Sequence, residues 1–232
     1  MHRPREQVPG TERVVQIPIG EAILHGDLAV PDSAIGIVLF AHGSGSSRHS
    51  PRNRYVAQAL QDGGLATLLM DLLTSDEEAY DSRTAALRFD IEFLGRRLLG
   101  ATRWLMAQPE TAQLPIGYFG ASTGAAAALV AAADLPDLVE VIVSRGGRPD
   151  LAGEALRRVV APTLLIVGSK DPVVLGLNRK ALAELPGEKK LEIVPGATHL
   201  FEEPGALEAV AQLARNWFVL HLGRATGRRR AA

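Results

Sequence analysis

The sequence predicts an α/β protein in which a mostly parallel, doubly wound sheet of about eight strands carries helices on both faces. Three observations predict it. Short runs rich in Val, Ile and Leu recur along the chain, bounded by Gly, Pro or Asp and too short for buried helices. Longer segments with helical periodicity separate them, the alternation expected of repeated strand-helix units. The first two runs instead alternate apolar and polar residues, as half-exposed strands of an antiparallel start do.

Taken in order, residues 13–19 (RVVQIPI) and 22–30 (AILHGDLAV) are the alternating strands, and Pro31-Asp32 ends the second. GIVLFAH (36–42) reads as a fully buried strand. After a polar loop, Pro51 opens an amphipathic helix to about 61, stopped by Asp62-Gly63-Gly64. LATLLMD (65–71) is the next buried strand, and residues 72–84 read as polar and irregular. A long helix is expected from about 87 to 108, ended before Pro109. PIGYFGAS (115–122) is a strand running into a helix of small residues that reaches 133. VEVIVSR (139–145), APTLLIVG (161–168) and KKLEIVP (189–195) complete the strands, with helices over about 150–159, 176–185 and 205–221. No repeat or linker divides residues 1–222, which read as one domain. The basic end GRATGRRRAA (223–232) reads as a frayed, solvated tail.

Composition narrows the function. The 232 residues suit one domain with a sizeable core, since 47% are apolar. Lys and Arg number 25 against 26 Asp and Glu, a net of -1, so no global field draws the protein to nucleic acid or an anionic membrane. Without cysteine, thiolate chemistry, disulfides and Cys-based zinc sites are excluded. The opening MHRPREQVPGTERV lacks the apolar core of a secretory signal, and a cytoplasmic location is expected. Residues 111–133 carry no charge over about the length of a membrane span. Pro115 and three glycines divide them, so a strand, a turn and an Ala-rich helix explain the run better.

Gly120-Ala121-Ser122-Thr123-Gly124 is a G-x-S-x-G pentapeptide lying between a strand and an Ala-rich helix. Such a turn lifts the serine hydroxyl clear of the sheet, and the helix that follows aims its N-terminal N–H groups at developing negative charge. Read alone, the pentapeptide is equally a Gly-rich turn that packs a helix closely. Its partners decide. A serine hydroxyl needs a base, normally an imidazole held in one tautomer by a carboxylate. Of six histidines, only His199 both follows the serine and sits just beyond the last strand, in the loop 195–199. Asp171 follows LLIVG at the end of the preceding strand, with Asp150, Glu202 and Glu203 as substitutes. Each of the three residues ends its own strand, where open α/β sheets place their sites.

The loop AHGSGSSR (41–48) is placed to complete an oxyanion hole. Ser44 is the expected loop donor, with Gly43 as fallback, and the N–H of Thr123 is the other. The same GSG lacks the third glycine of a dinucleotide fingerprint and has Arg48 there. No Walker lysine motif or HExxH occurs, and the chemistry calls for no cofactor or metal.

These residues make the chain resemble the α/β-hydrolase superfamily and, within it, small dienelactone-hydrolase-like proteins. The likeness runs from about 13 to 221. It is carried by HGSGSSRHSPRN (42–53), GYFGASTGAAAA (117–128), VGSKDPV (167–173) and PGATHLFEEPG (195–205). With SRGGRPDLAG (144–153), these stretches are also similar to hydrolase domains fused to phosphoribosyltransferases. The resemblance implies the α/β-hydrolase fold and a serine hydrolase acting on a small carboxylic ester or thioester through an acyl-serine. Dienelactone hydrolases proper use cysteine at the nucleophile; this chain has Ser122.

The short connection from 146 to 160 leaves no room for a cap domain, so a shallow pocket roofed by loops such as 72–84 is expected. Arg48, Arg52, Arg54, Arg145 and Arg148 follow strands that end at the catalytic edge. Arg48 and Arg145 are candidates to bind an anionic group of the substrate, the competing reading being salt bridges to Asp71, Asp76, Glu77 and Glu78. Two further functions stay open: a non-catalytic binding module on the same fold, and acyl transfer by the same triad. No residue identifies an oligomeric state or protein partner.

Overall fold

The structure, a computed structural model, describes residues 12–231, with side chains through 227. The expectation about residues 1–11 lies outside the described residues, as does Ala232. Eight strands form one sheet in the order β1-β2-β4-β3-β5-β6-β7-β8. They are β1 (Arg13–Ile19), β2 (Ala22–Ala29), β3 (Ile37–Ala41), β4 (Ala66–Met70), β5 (Ile116–Ala121), β6 (Val139–Arg145), β7 (Thr163–Gly168) and β8 (Lys189–Val194). β1 and β2 pair antiparallel, as do β2 and β4; every other pairing is parallel.

The period of two along each strand divides the core between the two faces. Leu39, Tyr118, Ile142 and Leu165 point to one side, where α3 (Ile91–Ala107) and α4 (Thr123–Asp134) cover them. Val38, Phe40, Phe119, Val141, Val143 and Ile166 point to the other, under α1 (Pro51–Gln61) and α6 (Ala206–Ala231). Phe40 and Phe119 stand opposite each other in the parallel register, their ring centres 4.9 Å apart. The uncharged run 111–133 divides into β5 and α4, and no helix among the described residues is long and apolar enough to cross a membrane.

Three expectations are corrected here. Residues 75–84 form a helix, α2 (Ser75–Thr84), rather than an irregular loop. It has almost no apolar face and is held by its ends: Thr74 and Glu77 close a capping box, with Asp76 and Glu78 also in the first turn. The long helix begins at Ile91 rather than near 87, because Asp81 draws the preceding segment into a turn. Its carboxylate accepts from Leu87 N at 2.7 Å, Arg88 N at 3.0 Å and Arg88 Nε at 2.6 Å. The tail is not frayed from 223: α6 runs to Ala231, Ala225 is buried, and the Thr226 hydroxyl donates to Ile35 O at 2.6 Å. Between β6 and β7 lies only a 3-10 segment (Pro149–Arg158), broken at Gly153, and no cap is inserted there. The last helix before β8 is α5 (Pro172–Glu184).

α4 packs very close to the sheet, and its run of alanines permits it. A Cβ on Gly120 would stand 2.3 Å from Ala125 Cα, and one on Gly124 2.3 Å from Ala41 O. Gly124→Ala should therefore destabilise by about 2 kcal/mol or more, even though alanine favours a helix interior by about 1 kcal/mol. Urea unfolding checks this; equal or higher stability would show that the approach of α4 to β3 is looser than the structure indicates.

Candidate active site

Ser122 is the hinge between β5 and α4. Its backbone lies at φ 50°, ψ -121°, a conformation side chains rarely adopt, and it makes no side-chain cap for the helix it precedes. Backbone bonds hold it there: Ser122 N donates to Arg145 O at 3.2 Å, and its carbonyl accepts from Arg148 N at 3.0 Å. Gly43 passes so near that a Cβ on it would sit 3.0 Å from Ser122 Cβ.

His199 and Asp171 meet as the chain order requires. His199 Nδ1 lies 2.7 Å from Asp171 Oδ2. With its Nδ1–H given to the carboxylate, the imidazole keeps Nε2 as an acceptor. The ring lies against Gly146, the residue after Arg145: a Cβ at Gly146 would be 3.5 Å from His199 Nδ1 and Cε1. Gly146, at φ 51°, thus places the imidazole beside the strand end to which Ser122 is bonded. Asp171 also caps α5 by accepting from Val174 N at 3.4 Å. The substitute acids are engaged elsewhere. Asp150 pairs with Arg148 at 2.7 Å, Glu202 with Arg52 at 3.2 Å, and Glu203 takes Thr198 N at 3.1 Å, bracing the turn before His199.

The oxyanion loop departs from expectation at Ser44. Its N–H donates to Thr123 Oγ1 at 3.1 Å and its hydroxyl lies 2.9 Å from the same oxygen, so the expected loop donor is already occupied. Thr123 N–H, the first of α4, has no hydrogen bond among the described residues. Behind the loop, His42 Nε2 accepts from Leu72 N at 3.0 Å, and its Nδ1 lies 2.9 Å from Gly43 O. That pair of bonds requires a neutral ring protonated at Nδ1.

Arg48 is held by carboxylates, the competing reading for this residue. It is paired with Asp71 through Nη1 and through its backbone N at 2.8 Å, and its Nε lies 3.4 Å from Asp27. Of the competing acids, Asp71 takes a loop arginine; Glu77 pairs with Arg97 of α3. Arg54 pairs with Asp27 and Glu12. Arg145 differs: it is buried and no carboxylate among the described residues pairs with it.

Two residues that sequence reasoning passed over support the site. Asn178 of α5, fully buried, donates to Gly147 O at 2.9 Å and fastens the Gly146-Gly147 turn under His199. Phe201, at φ 56°, turns the chain sharply just after His199. Neither carries a sequence signal, since both act through long-range contacts. A cleft of about 610 Å³ opens between the loops after β3 and β4, lined by Ser46, His49, Ser50, Asp71, Thr74 and Glu78 among others, with none of Ser122, Asp171 and His199 in its wall.

A strained serine between a strand and a helix, a histidine on an aspartate, and a helix N-terminus facing them on an uncapped parallel sheet define an α/β hydrolase of the lidless kind. The chain belongs to the dienelactone hydrolase family, whose model matches residues 24–218. It is 61% identical, over 92% of its length, to a putative phosphoribosyl transferase of Mycobacterium tuberculosis, and covers 47% of that protein. The chain thus spans about half the length of the curated relatives it matches. Among solved structures, the dienelactone hydrolase of Anabaena variabilis superposes with a TM-score of 0.90 at 61% identity, covering 91% of this chain and 98% of its own. Est1E of Butyrivibrio proteoclasticus shares the fold, with a TM-score of 0.76 at 16% identity over 90% of this chain and 98% of its own.

Burial lowers the His42 pKa from 6.5, overriding the bond to Gly43 and the nearby carboxylates. A group depressed in the folded state contributes stability above its unfolded pKa and loses it as pH falls through the folded value. The stability advantage of wild type over His42→Gln should therefore be full at about pH 7.5 and shrink below about pH 6.5. Urea unfolding of both proteins across that range checks it; an advantage independent of pH would contradict the neutral, buried ring.

Proposed function

We propose that this chain is a serine hydrolase that cleaves a carboxylic ester or thioester through an acyl-serine intermediate. The observation that carries the reading is the 2.7 Å contact of His199 Nδ1 with Asp171, made by an imidazole that lies against Gly146, the residue after the Arg145 carbonyl that holds the N–H of the strained Ser122. Ser122 Oγ attacks the substrate carbonyl while His199 Nε2 takes its proton, and Asp171 stabilises the imidazolium that forms. Thr123 N–H faces the developing oxyanion. Ser44 N–H joins it once the Thr123 hydroxyl, now bonded to it, turns aside. Collapse of the tetrahedral intermediate breaks the bond to the leaving oxygen or sulfur, which receives the proton from His199. Water, deprotonated by the same nitrogen, then adds to the acyl carbon; collapse breaks the bond to Ser122 Oγ, which takes the proton from His199, and releases the acid.

The phosphoribosyl transferase name attaches to relatives about twice as long, and we assign hydrolysis to the part this chain matches. With only a 3-10 segment where a cap would be inserted, the site suits a small or protruding ester.

A fluorophosphonate should add once to the wild-type protein and not to Ser122→Ala, as read by intact mass. Turnover of p-nitrophenyl acetate should vanish in that variant. Asp171→Asn should lower kcat by about 10³- to 10⁴-fold, because the amide holds the wrong tautomer of His199. No adduct on folded wild type would refute the serine-hydrolase reading.

A further inference from the structure

Arg145 ends β6 and reaches toward α1 and the loop beyond His199. It is 8% exposed, and the one hydrogen bond of its side chain among the described residues, from Nη2 to Asn53 Oδ1, is a long 3.4 Å. Its Nε is buried with no partner, and the guanidinium carbon lies 6.0 Å from the centre of the Phe201 ring. Arg52, in the first turn of α1, adds a second positive charge. Its Nε is also buried without a partner, and its Nη1 reaches only Glu202, a largely exposed carboxylate, at 3.2 Å. The first turn of α1 contains no acidic residue, so the helix N-terminus contributes further positive potential. Burial, and then repulsion by Arg52, push the Arg145 pKa down to about 10.

A buried charge ordinarily carries a counter-charge. Elsewhere this chain obeys that rule. Buried Asp27 faces Arg48 and Arg54, buried Asp81 faces Arg88, and buried Arg97 faces Glu77. Among the described residues Arg145 has no counter-charge, and its backbone is next to the proposed nucleophile. The Arg145 carbonyl takes Ser122 N–H, Gly146 lies under the His199 ring, and Phe201 is two residues beyond His199.

We propose that Arg145 and Arg52, at the N-terminal end of α1, form a subsite for an oxyanion group, a carboxylate or a phosphate monoester, carried by the substrate of the Ser122 site. This rests on the hydrolase reading above. The group supplies the missing counter-charge, accepts from the unpartnered N–H groups of the two guanidiniums and competes with Glu202 for Arg52. Planar guanidinium forks match the oxygens of either anion.

The test separates binding from turnover. In the full chain carrying Ser122→Ala, inorganic phosphate and acetate are added separately and melting is followed. A rise with either anion, lost when Arg145→Met is added, supports the subsite; phosphate alone assigns a phosphate monoester and acetate alone a carboxylate. No rise with either anion overturns the proposal. In wild type, kcat/KM is then compared for p-nitrophenyl acetate and for a p-nitrophenyl ester whose acyl chain ends in the group that bound. The preference for the charged ester should fall about tenfold or more in Arg145→Met and in Arg52→Gln, and an unchanged preference in both overturns the proposal. In anion-free buffer Arg145→Met should melt no lower than wild type, since it removes a charge that has no counter-charge. A clear fall, or failure to fold, would mark the guanidinium as a strut of the fold and overturn the proposal. Absence of turnover of either ester by wild type would instead count against the hydrolase reading, leaving the anion-dependent melting of Ser122→Ala as the separate readout of the subsite.

Discussion

At the junction of β5 and α4 the chain must reverse from strand to helix within a single residue while the helix lies almost in contact with the sheet. Gly120 and Gly124 have no room for a Cβ, Ala125 to Ala128 leave the helix thin, and Ser122 takes the backbone strain between them. Such strain costs on the order of 1–3 kcal/mol and persists only where the surroundings over-determine it. Here they do, through the bonds to Arg145 and Arg148 and the close passage of Gly43. The loops after β3 and β6 pass directly against that point, so the local geometry of one serine sets the positions of its neighbours at this edge of the sheet.

The strand pattern was legible because apolar runs of strand length are unambiguous when both faces of a sheet are covered. Ser122, Asp171 and His199 could be picked out as candidates because chain order and strand ends are one-dimensional facts, and the structure brings His199 onto Asp171. What stayed hidden depends on distant partners. α2 has no apolar face to reveal it, although Thr74-Ser75-Asp76-Glu77 spells a capping box. The end of α6 reads as a solvated basic tail until Ala225 and Thr226 are seen to pack near the start of β3. Arg48 and Arg145 look alike in sequence; one lies against Asp27 and Asp71 and the other, among the described residues, against no acid. The occupation of Ser44 N–H by Thr123 depends on a side-chain rotamer, which no motif encodes.

Polar ties between neighbouring loops brace the strand ends from outside. His42 links the loop after β3 to Leu72 after β4, Asp71 holds Arg48 across the same gap, and Asn178 of α5 holds Gly147 after β6. Each is a bond between a side chain and the backbone of a neighbouring segment, so the exit of β3 is tied to that of β4, and the exit of β6 to the helix after β7. A site built this way is preorganised by its frame rather than closed by its substrate.

Asp171 serves two structures at once, holding His199 with one carboxylate oxygen and capping α5 with the other. Ser122 does the opposite, sitting in a conformation that the fold must hold against its preference. The two residues therefore stand differently in the energetics of the fold. If a lineage with this architecture lost the need for its chemistry, replacing the serine would relieve strain, while replacing the aspartate would still unseat a helix. Descendants that had abandoned catalysis would keep Asp171 long after Ser122 had drifted, and a surviving aspartate at this turn is a record of ancestry rather than of activity.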